Sequence, residues 1–366
     1  MQEMQLLITE QAKLRGNQPR EGFMKNKCWA CLMILMVLSM AVLALAAAGP
    51  GYHVIQTYKV GGEGWWDYLT ADSDARRVYI SRGTHVMVLD ADSGKTVGDI
   101  PDTPGVHGIA LAPELGRGFT SNGREDTVTI FNLKGLAAMG KVKVGGGPDA
   151  ILFDPYSGRV FTFNGRSQDA TAMDAATGAV LATIGLYGKP EFAATDAEGE
   201  IFVNIEDKSE LVMIDPNKLA VRARWPLAPC AEPSGLSIDR KNRRLFVGCD
   251  NKMMAVVDAD SGKVLATPTI GEGVDATTFD PETGLAFASC GEGVLTVVKE
   301  ESPDRFSVAE NVPTKKGART LALDAKTHNV FVVTADFGPR PEATADNPHP
   351  RPAMLPDSFV VLVVGK

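Results

Sequence analysis

A unit of about 42 residues recurs along this chain, and no other feature constrains its fold as tightly. One copy reads Pro148-Asp149-Ala150-Ile151-Leu152-Phe153-Asp154-Pro155, Gly158-Arg159-Val160-Phe161, Ala172-Met173-Asp174 and Thr177-Gly178-Ala179-Val180-Leu181. It returns as Val274-Asp275-Ala276, Phe279-Asp280-Pro281, Thr283-Gly284-Leu285-Ala286-Phe287 and Thr296-Val297-Val298. A third copy contains Ile238-Asp239, Arg244-Leu245-Phe246-Val247, Val256-Val257-Asp258 and Ser261-Gly262-Lys263-Val264. Matching positions fall at Asp67, His107, Asp149, Glu191, Ser234, Asp275 and Arg319, spaced by 40, 42, 42, 43, 41 and 44 residues. Each copy holds four short runs rich in β-branched residues, with alternating polarity, so each run reads as a strand. Asp-Pro-x-x-Gly and Asp-x-x-x-Gly between them suit tight turns, because Asp bonds its own turn backbone and Gly takes positive φ. Four strands per unit at this period specify the blades of a β-propeller.

The predicted architecture is all-β: seven four-stranded antiparallel blades in one domain over residues 52–366. The last unit, ending Phe359 to Val364, lacks a fourth strand, whereas His53 to Val60 precede the first full unit. The N-terminal strand is therefore expected to complete the last blade and remove the open edges of the ring. Blade two departs from the pattern, with Ala112-Pro113 in place of Asp-Pro and Asn132 for the second Asp. Local turn chemistry should change there while topology stays the same.

The repeat unit resembles that of the bacterial YVTN-repeat (YncE-like) β-propellers. Leu245-Phe246-Val247-Gly248-Cys249, Gly271-Glu272-Gly273-Val274-Asp275-Ala276 and Gly317-Ala318-Arg319-Thr320-Leu321-Ala322-Leu323-Asp324 are similar to stretches of an exported subgroup. The resemblance spans everything after residue 48 and implies the seven-bladed fold. For function it implies no more than a binding role.

Residues 24–48 differ in character. Lys25 and Lys27 precede an apolar run from Trp29 to Ala48 that ends in small residues before Gly49-Pro50, the layout of a secretory signal. The chain is expected to be periplasmic or secreted, and to meet a membrane only if this segment is retained as an anchor. Residues 1–23 are polar and patternless and read as an upstream extension, with Met24 as the alternative start. Cys28 and Cys31 fall inside the apolar run and are discounted as a metal or redox pair. An odd set remains, Cys230, Cys249 and Cys290, which in an oxidising compartment suggests one disulfide and one free thiol. Cys230 and Cys249 lie on one face of blade five and are the expected pair; Cys249 with Cys290 is the competing one.

The net charge of −8 and pI of about 5.3 argue against nucleic acid, which demands a concentrated basic face. The chain is expected to act as a monomer. Chemistry should gather where the loops leading into strand a and the b–c loops share a face around the channel. The strand-a positions Asp67, His107, Asp149, Glu191, Ser234, Asp275 and Arg319 are all polar or charged, and their neighbours Gly108, Ala150, Phe192, Gly235, Ala276 and Thr320 are small or apolar. Four carboxylates and a histidine in one ring suit a cation or a basic ligand; His107, Asp149 and Glu191 are the candidate donors for a divalent metal. The alternative is that polar groups at a water-filled mouth only cap strands.

The b–c loops add Arg82, Asn204, Asp250-Asn251 and Asp336, with two matched Asn-Gly-Arg copies ending in Arg124 and Arg166. Asn-Gly is a favoured turn, but Arg124 and Arg166 are also suited to a carboxylate or phosphate. Trp65-Trp66 suit either packing or stacking on a ring-shaped ligand. An insertion from Phe337 to Ser358, with six prolines and His349, should rise over the mouth. No GxSxG elbow, Walker loop, HExxH or CxxCH occurs, so neither a nucleotide nor covalent haem is indicated. Two function classes remain: a non-catalytic propeller binding a ligand or protein partner, and a hydrolase, lactonase or lyase using the acidic ring with or without a metal.

Overall fold

The structure, a computed structural model, describes residues 51–62, 64–344, 350 and 352–366. The expected leader at 24–48 and the extension at 1–23 lie outside the described residues. Seven four-stranded antiparallel sheets form the ring. Blade three shows the plan, with strands a (Pro148–Asp154), b (Arg159–Asn164), c (Asp169–Asp174) and d (Val180–Gly185) in spatial order.

The hydrophobic part of each b strand builds the core between blades. Tyr79, Phe119, Phe161, Phe202, Phe246, Phe287 and Phe331 occupy the same b-strand position in the seven blades and are all buried. Burying each such ring contributes about 1.5–3 kcal/mol. The Asp that ends strand a does two jobs. Asp154 accepts from the backbone N–H and hydroxyl of Ser157, fixing its turn, and also accepts from Thr195 Oγ1 of the next blade at 2.6 Å. Asp280 likewise meets His328 Nδ1 at 2.8 Å, and Asp324 meets Arg76 at 2.6 Å across the seam between blades seven and one. In blade two a single 3-10 turn (Pro113–Leu115) replaces the Asp-capped turn, yet strands Val106–Ala112 and Arg117–Asn122 still pair. Asn132 Oδ1 accepts the Gly135 N–H at 2.8 Å and does the work of the missing aspartate.

Blade seven takes strands a (Leu321–Asp324), b (Asn329–Thr334) and c (Val360–Gly365) from the C-terminus and its outer strand, His53–Lys59, from the N-terminus. Two tyrosines tie that strand to both neighbouring blades. Tyr52 packs edge-on against Phe287 of blade six at 5.2 Å, and its N–H donates to Glu310 at 2.8 Å. Tyr58 lies over the c–d turn of blade one and donates its hydroxyl to the Asp92 carbonyl at 2.9 Å. Arg82 is wholly buried and donates to the carbonyls of Gly61, Gly62 and Gly64, with its guanidinium 3.8 Å from the Phe359 ring centroid. It clamps the segment leaving the closing strand, so the b–c-loop reading of Arg82 as a ligand-facing group is corrected. Burial lowers its pKa to about 10.

Cys230 and Cys249 are joined by a disulfide, with Cα atoms 5.5 Å apart. Cys290 is a buried free thiol one blade on.

Gly94 is where the closing strand is most exposed to test. Its φ is +67°, and an added Cβ would stand 2.1 Å from the Tyr58 ring. Gly94→Ala should therefore lower unfolding free energy by about 2–4 kcal/mol through backbone strain and overpacking. The expected readout is a lower urea midpoint at unchanged slope. A wild-type midpoint would mean that Tyr58 does not hold the seam.

Candidate functional site

Five of the seven strand-a positions share a backbone irregularity at the channel. In blades two to six the pairing of strands a and b shifts register between Val106 and Ile109, Pro148 and Ile151, Pro190 and Ala193, Pro233 and Leu236, and Val274 and Ala276. His107, Asp149, Glu191, Ser234 and Asp275 sit in those shifts. Bulges of this kind re-aim side chains at the rim of a sheet. Asp67 and Arg319 occupy the loops just before strand a in blades one and seven.

Six of the seven form one chain of alternating charge. Ser234 Oγ donates to Asp275 at 3.1 Å, and Arg319 Nε stands 3.2 Å from the other Asp275 oxygen. Arg319 also faces Asp67 at 3.7 Å. His107 Nδ1 lies 2.6 Å from Asp67 and 3.5 Å from Asp149. Glu191 is outside this chain: Lys189 holds it at 2.6 Å and also reaches Glu206. The metal-donor set read from sequence is thus corrected in one member. Lys189 occupies Glu191, and Asp67 joins His107 and Asp149 so that one ligand atom from each lies within 4.8 Å of the others.

Tyr68 was not legible as a site residue, yet its buried side chain lies close to the four mouth carboxylates. It is the flank residue of blade one, where most blades carry a small residue, and it packs on Phe192 of blade four at 4.4 Å between centroids. Those two bulky flanks among small ones were the available signal. Burial raises the Tyr68 pKa well above its usual value, and Asp149, Glu191, Asp67 and Asp275 push it further. Burial likewise raises Asp149, opposed by His107, and raises Asp275, opposed by Arg319. Glu191 is raised by burial and by the Asp149 charge, while Lys189 limits the rise. For His107 burial alone would depress the pKa. The Asp67 hydrogen bond and the charges of Asp149 and Glu191 outweigh it and raise the group to about 9.

Above the ring lies a cleft of about 720 Å³, lined among others by Trp65, Asp67, His107, Arg124, Arg319 and Phe337. Trp65 stacks on Phe337 at 5.5 Å, and both rings line the cleft wall. Trp66 is buried behind it. Phe337 belongs to the blade-seven insertion, which pairs with itself through Gly338 N–H to the Ala353 carbonyl at 2.9 Å and Leu355 N–H to the Asp336 carbonyl at 2.8 Å. Pro352 of the same insertion also reaches the cleft. His349 lies outside the described residues.

The two Asn-Gly-Arg copies divide their roles. Both asparagines are buried and structural: Asn122 donates to Thr127 and Thr129, and Asn164 to Asp169 and Thr171. Arg124 faces the cleft. Arg166 instead pairs with Asp126 of blade two and is not among the residues that line this cleft. Asn204 is also structural, donating to the Ser234 and Gly235 carbonyls.

No family model matches the chain, and no curated protein matches it. Solved structures do. The structure of U3-55K matches with a TM-score of 0.69 at 10% identity, over 85% of this chain and 99% of that one. The WD40 β-propeller domain of Doa1 matches with a TM-score of 0.65 at 13% identity, over 87% and 98%. A Kuenenia stuttgartiensis hydrazine synthase chain matches with a TM-score of 0.63 at 14% identity, over 76% and 95%. At such identities the likeness shows the fold: this is a seven-bladed β-propeller, an architecture that generally supports binding or scaffolding.

The raised His107 pKa ties stability to pH. A folded pKa of about 9 against an ordinary 6.5 means that its stabilising contribution is complete below pH 6.5 and is lost as pH rises through 9. In chelator-treated protein the melting temperature should fall from pH 7 to pH 9.5 more steeply for wild type than for His107→Gln, by a few degrees. Parallel curves would show that the Asp67–His107–Asp149 contacts add nothing.

Proposed function

We propose that this chain is an exported, non-catalytic binding propeller whose ligand is a small molecule carrying a ring and an anionic group. One observation carries this reading. A single cleft of about 720 Å³ is lined by Trp65, Phe337 and Arg124, and Arg124 has no carboxylate partner among the described residues. The aromatic share of the lining favours a ligand with a ring, and the guanidinium takes the anion through charge-assisted hydrogen bonds. The mouth carboxylates are already engaged by His107, Arg319 and Lys189, so an anion is not repelled by four free charges.

Export is supported by the signal-like segment at 24–48 and by the Cys230–Cys249 disulfide, which suits an oxidising compartment. The resemblance to the exported YVTN-repeat subgroup points the same way. The hydrolase, lactonase or lyase reading is less favoured, because His107 is held protonated at neutral pH and so does not serve as a base there.

Binding is tested with benzoate and glucose 6-phosphate as probes. Either should quench tryptophan emission saturably, and Arg124→Ala should weaken that binding at least tenfold, as loss of a hydrogen bond to a charged group implies (~1.5–3 kcal/mol). The melting temperature of Arg124→Ala should stay at the wild-type value. If neither probe quenches emission at millimolar concentration, or Arg124→Ala binds like wild type, the cleft is not a ring-and-anion site.

A further inference from the structure

We propose that Asp67, His107 and Asp149 form a divalent transition-metal site at the floor of the cleft, with one imidazole nitrogen and two carboxylate oxygens as protein donors. This inference rests on observations separate from the aromatic wall and Arg124, and it holds whether or not an organic ligand binds above.

The first observation is convergence. Two carboxylates from neighbouring blades point at the same ring nitrogen, Asp67 Oδ2 at 2.6 Å and Asp149 Oδ1 at 3.5 Å from His107 Nδ1. Donor atoms of the three residues lie within 4.8 Å of one another. Metal–nitrogen and metal–oxygen bonds of about 2.0–2.2 Å place neighbouring donors roughly 3 Å apart, so the cluster closes on an ion with small side-chain adjustments. The second observation is an orphan. Asp149 Oδ1 has essentially no solvent contact and accepts no hydrogen bond within 3.5 Å, although the Tyr68 hydroxyl faces the same carboxylate, and its one close cation is the same His107 nitrogen. A fully enclosed carboxylate oxygen left without a hydrogen bond is unusual.

The other ring members do not compete for this role. Arg319 is held by Asp275 and Asp67, and Lys189 by Glu191 and Glu206. An ion taking the place of the Nδ1 proton releases that proton and leaves the charge between the two aspartates positive. Mixed nitrogen and oxygen donors favour zinc, iron(II) or manganese(II) over calcium. Three protein donors leave coordination positions to be filled, and Asp67 and His107 line the cleft, from which water or an anionic oxygen would complete the shell.

Zinc alone is the probe. Isothermal titration of chelator-treated protein should show one equivalent of Zn²⁺ per chain. His107→Gln and Asp149→Asn should each weaken binding at least tenfold, while Glu191→Gln should leave it within twofold. X-ray absorption of the wild-type zinc complex should show one imidazole among oxygen donors and no sulfur, a readout that does not depend on any variant folding. Absence of stoichiometric zinc binding, wild-type affinity in either His107→Gln or Asp149→Asn, or a first shell without imidazole would overturn the assignment.

Discussion

Seven wedge-shaped sheets stay together only while the ring is shut, and here closure depends on a strand from the far end of the chain. Strand His53–Lys59 pairs with Val360–Gly365 and gives blade seven its outer edge. Backbone pairing alone would leave that strand attached to one sheet. The tyrosines extend it sideways, Tyr52 to blade six and Tyr58 to blade one. Arg82 then fixes the segment that follows, at the cost of burying a guanidinium, which its carbonyl contacts and the Phe359 ring offset. Arg76 and Asp324 seal the same seam on the opposite side of the ring. Because every blade leans on two neighbours, weakening this seam weakens all seven.

Closure also makes the site. The strand-a positions are more than 40 residues apart on average, and only a shut ring brings Asp67 of blade one beside Arg319 of blade seven. The register shifts at the start of strand a then turn the side chains inward. Beneath them the innermost strands run so close that a Cβ on Gly235 would lie 2.6 Å from the Thr277 nitrogen. Small flanks there are a packing demand, and the two exceptions, Tyr68 and Phe192, meet across the channel.

The sequence was informative wherever the period alone decides. Blade number, the closing strand and the membership of the ring follow from counting residues between like positions. Tertiary reach is a different matter. Arg124 and Arg166 share a motif and a place in their blades, yet Asp126 lies within reach of Arg166 and draws it away from the mouth. Glu191 has the same period as Asp149, but Lys189, two residues before it, claims it. Arg82 looks like any polar b–c loop residue until the closing segment is laid over it. Two of these divergences come from a neighbour in another blade or in a non-repeating stretch, and the third from a lysine at a loop position where several blades carry glycine, none of which periodicity encodes.

The charges of the mouth show why the Asp67–His107–Asp149 corner is the adaptable part. Arg319 spans Asp275 and Asp67 with a guanidinium that does not lose its proton, and Lys189 is doubly held by Glu191 and Glu206. Those corners are therefore electrostatically fixed. Only between Asp67 and Asp149 is the positive partner a group that loses its proton at moderately alkaline pH, about 9. If that charge were removed with nothing in its place, Asp149 would keep an enclosed oxygen facing Asp67 across a neutral imidazole, above the low-dielectric bulk of Tyr68. Like charges so placed repel strongly. The corner thus favours a cation, and geometry distinguishes a proton from a metal ion there. A proton binds the nearest pair, whereas a metal draws in the third donor that the proton leaves at 3.5 Å.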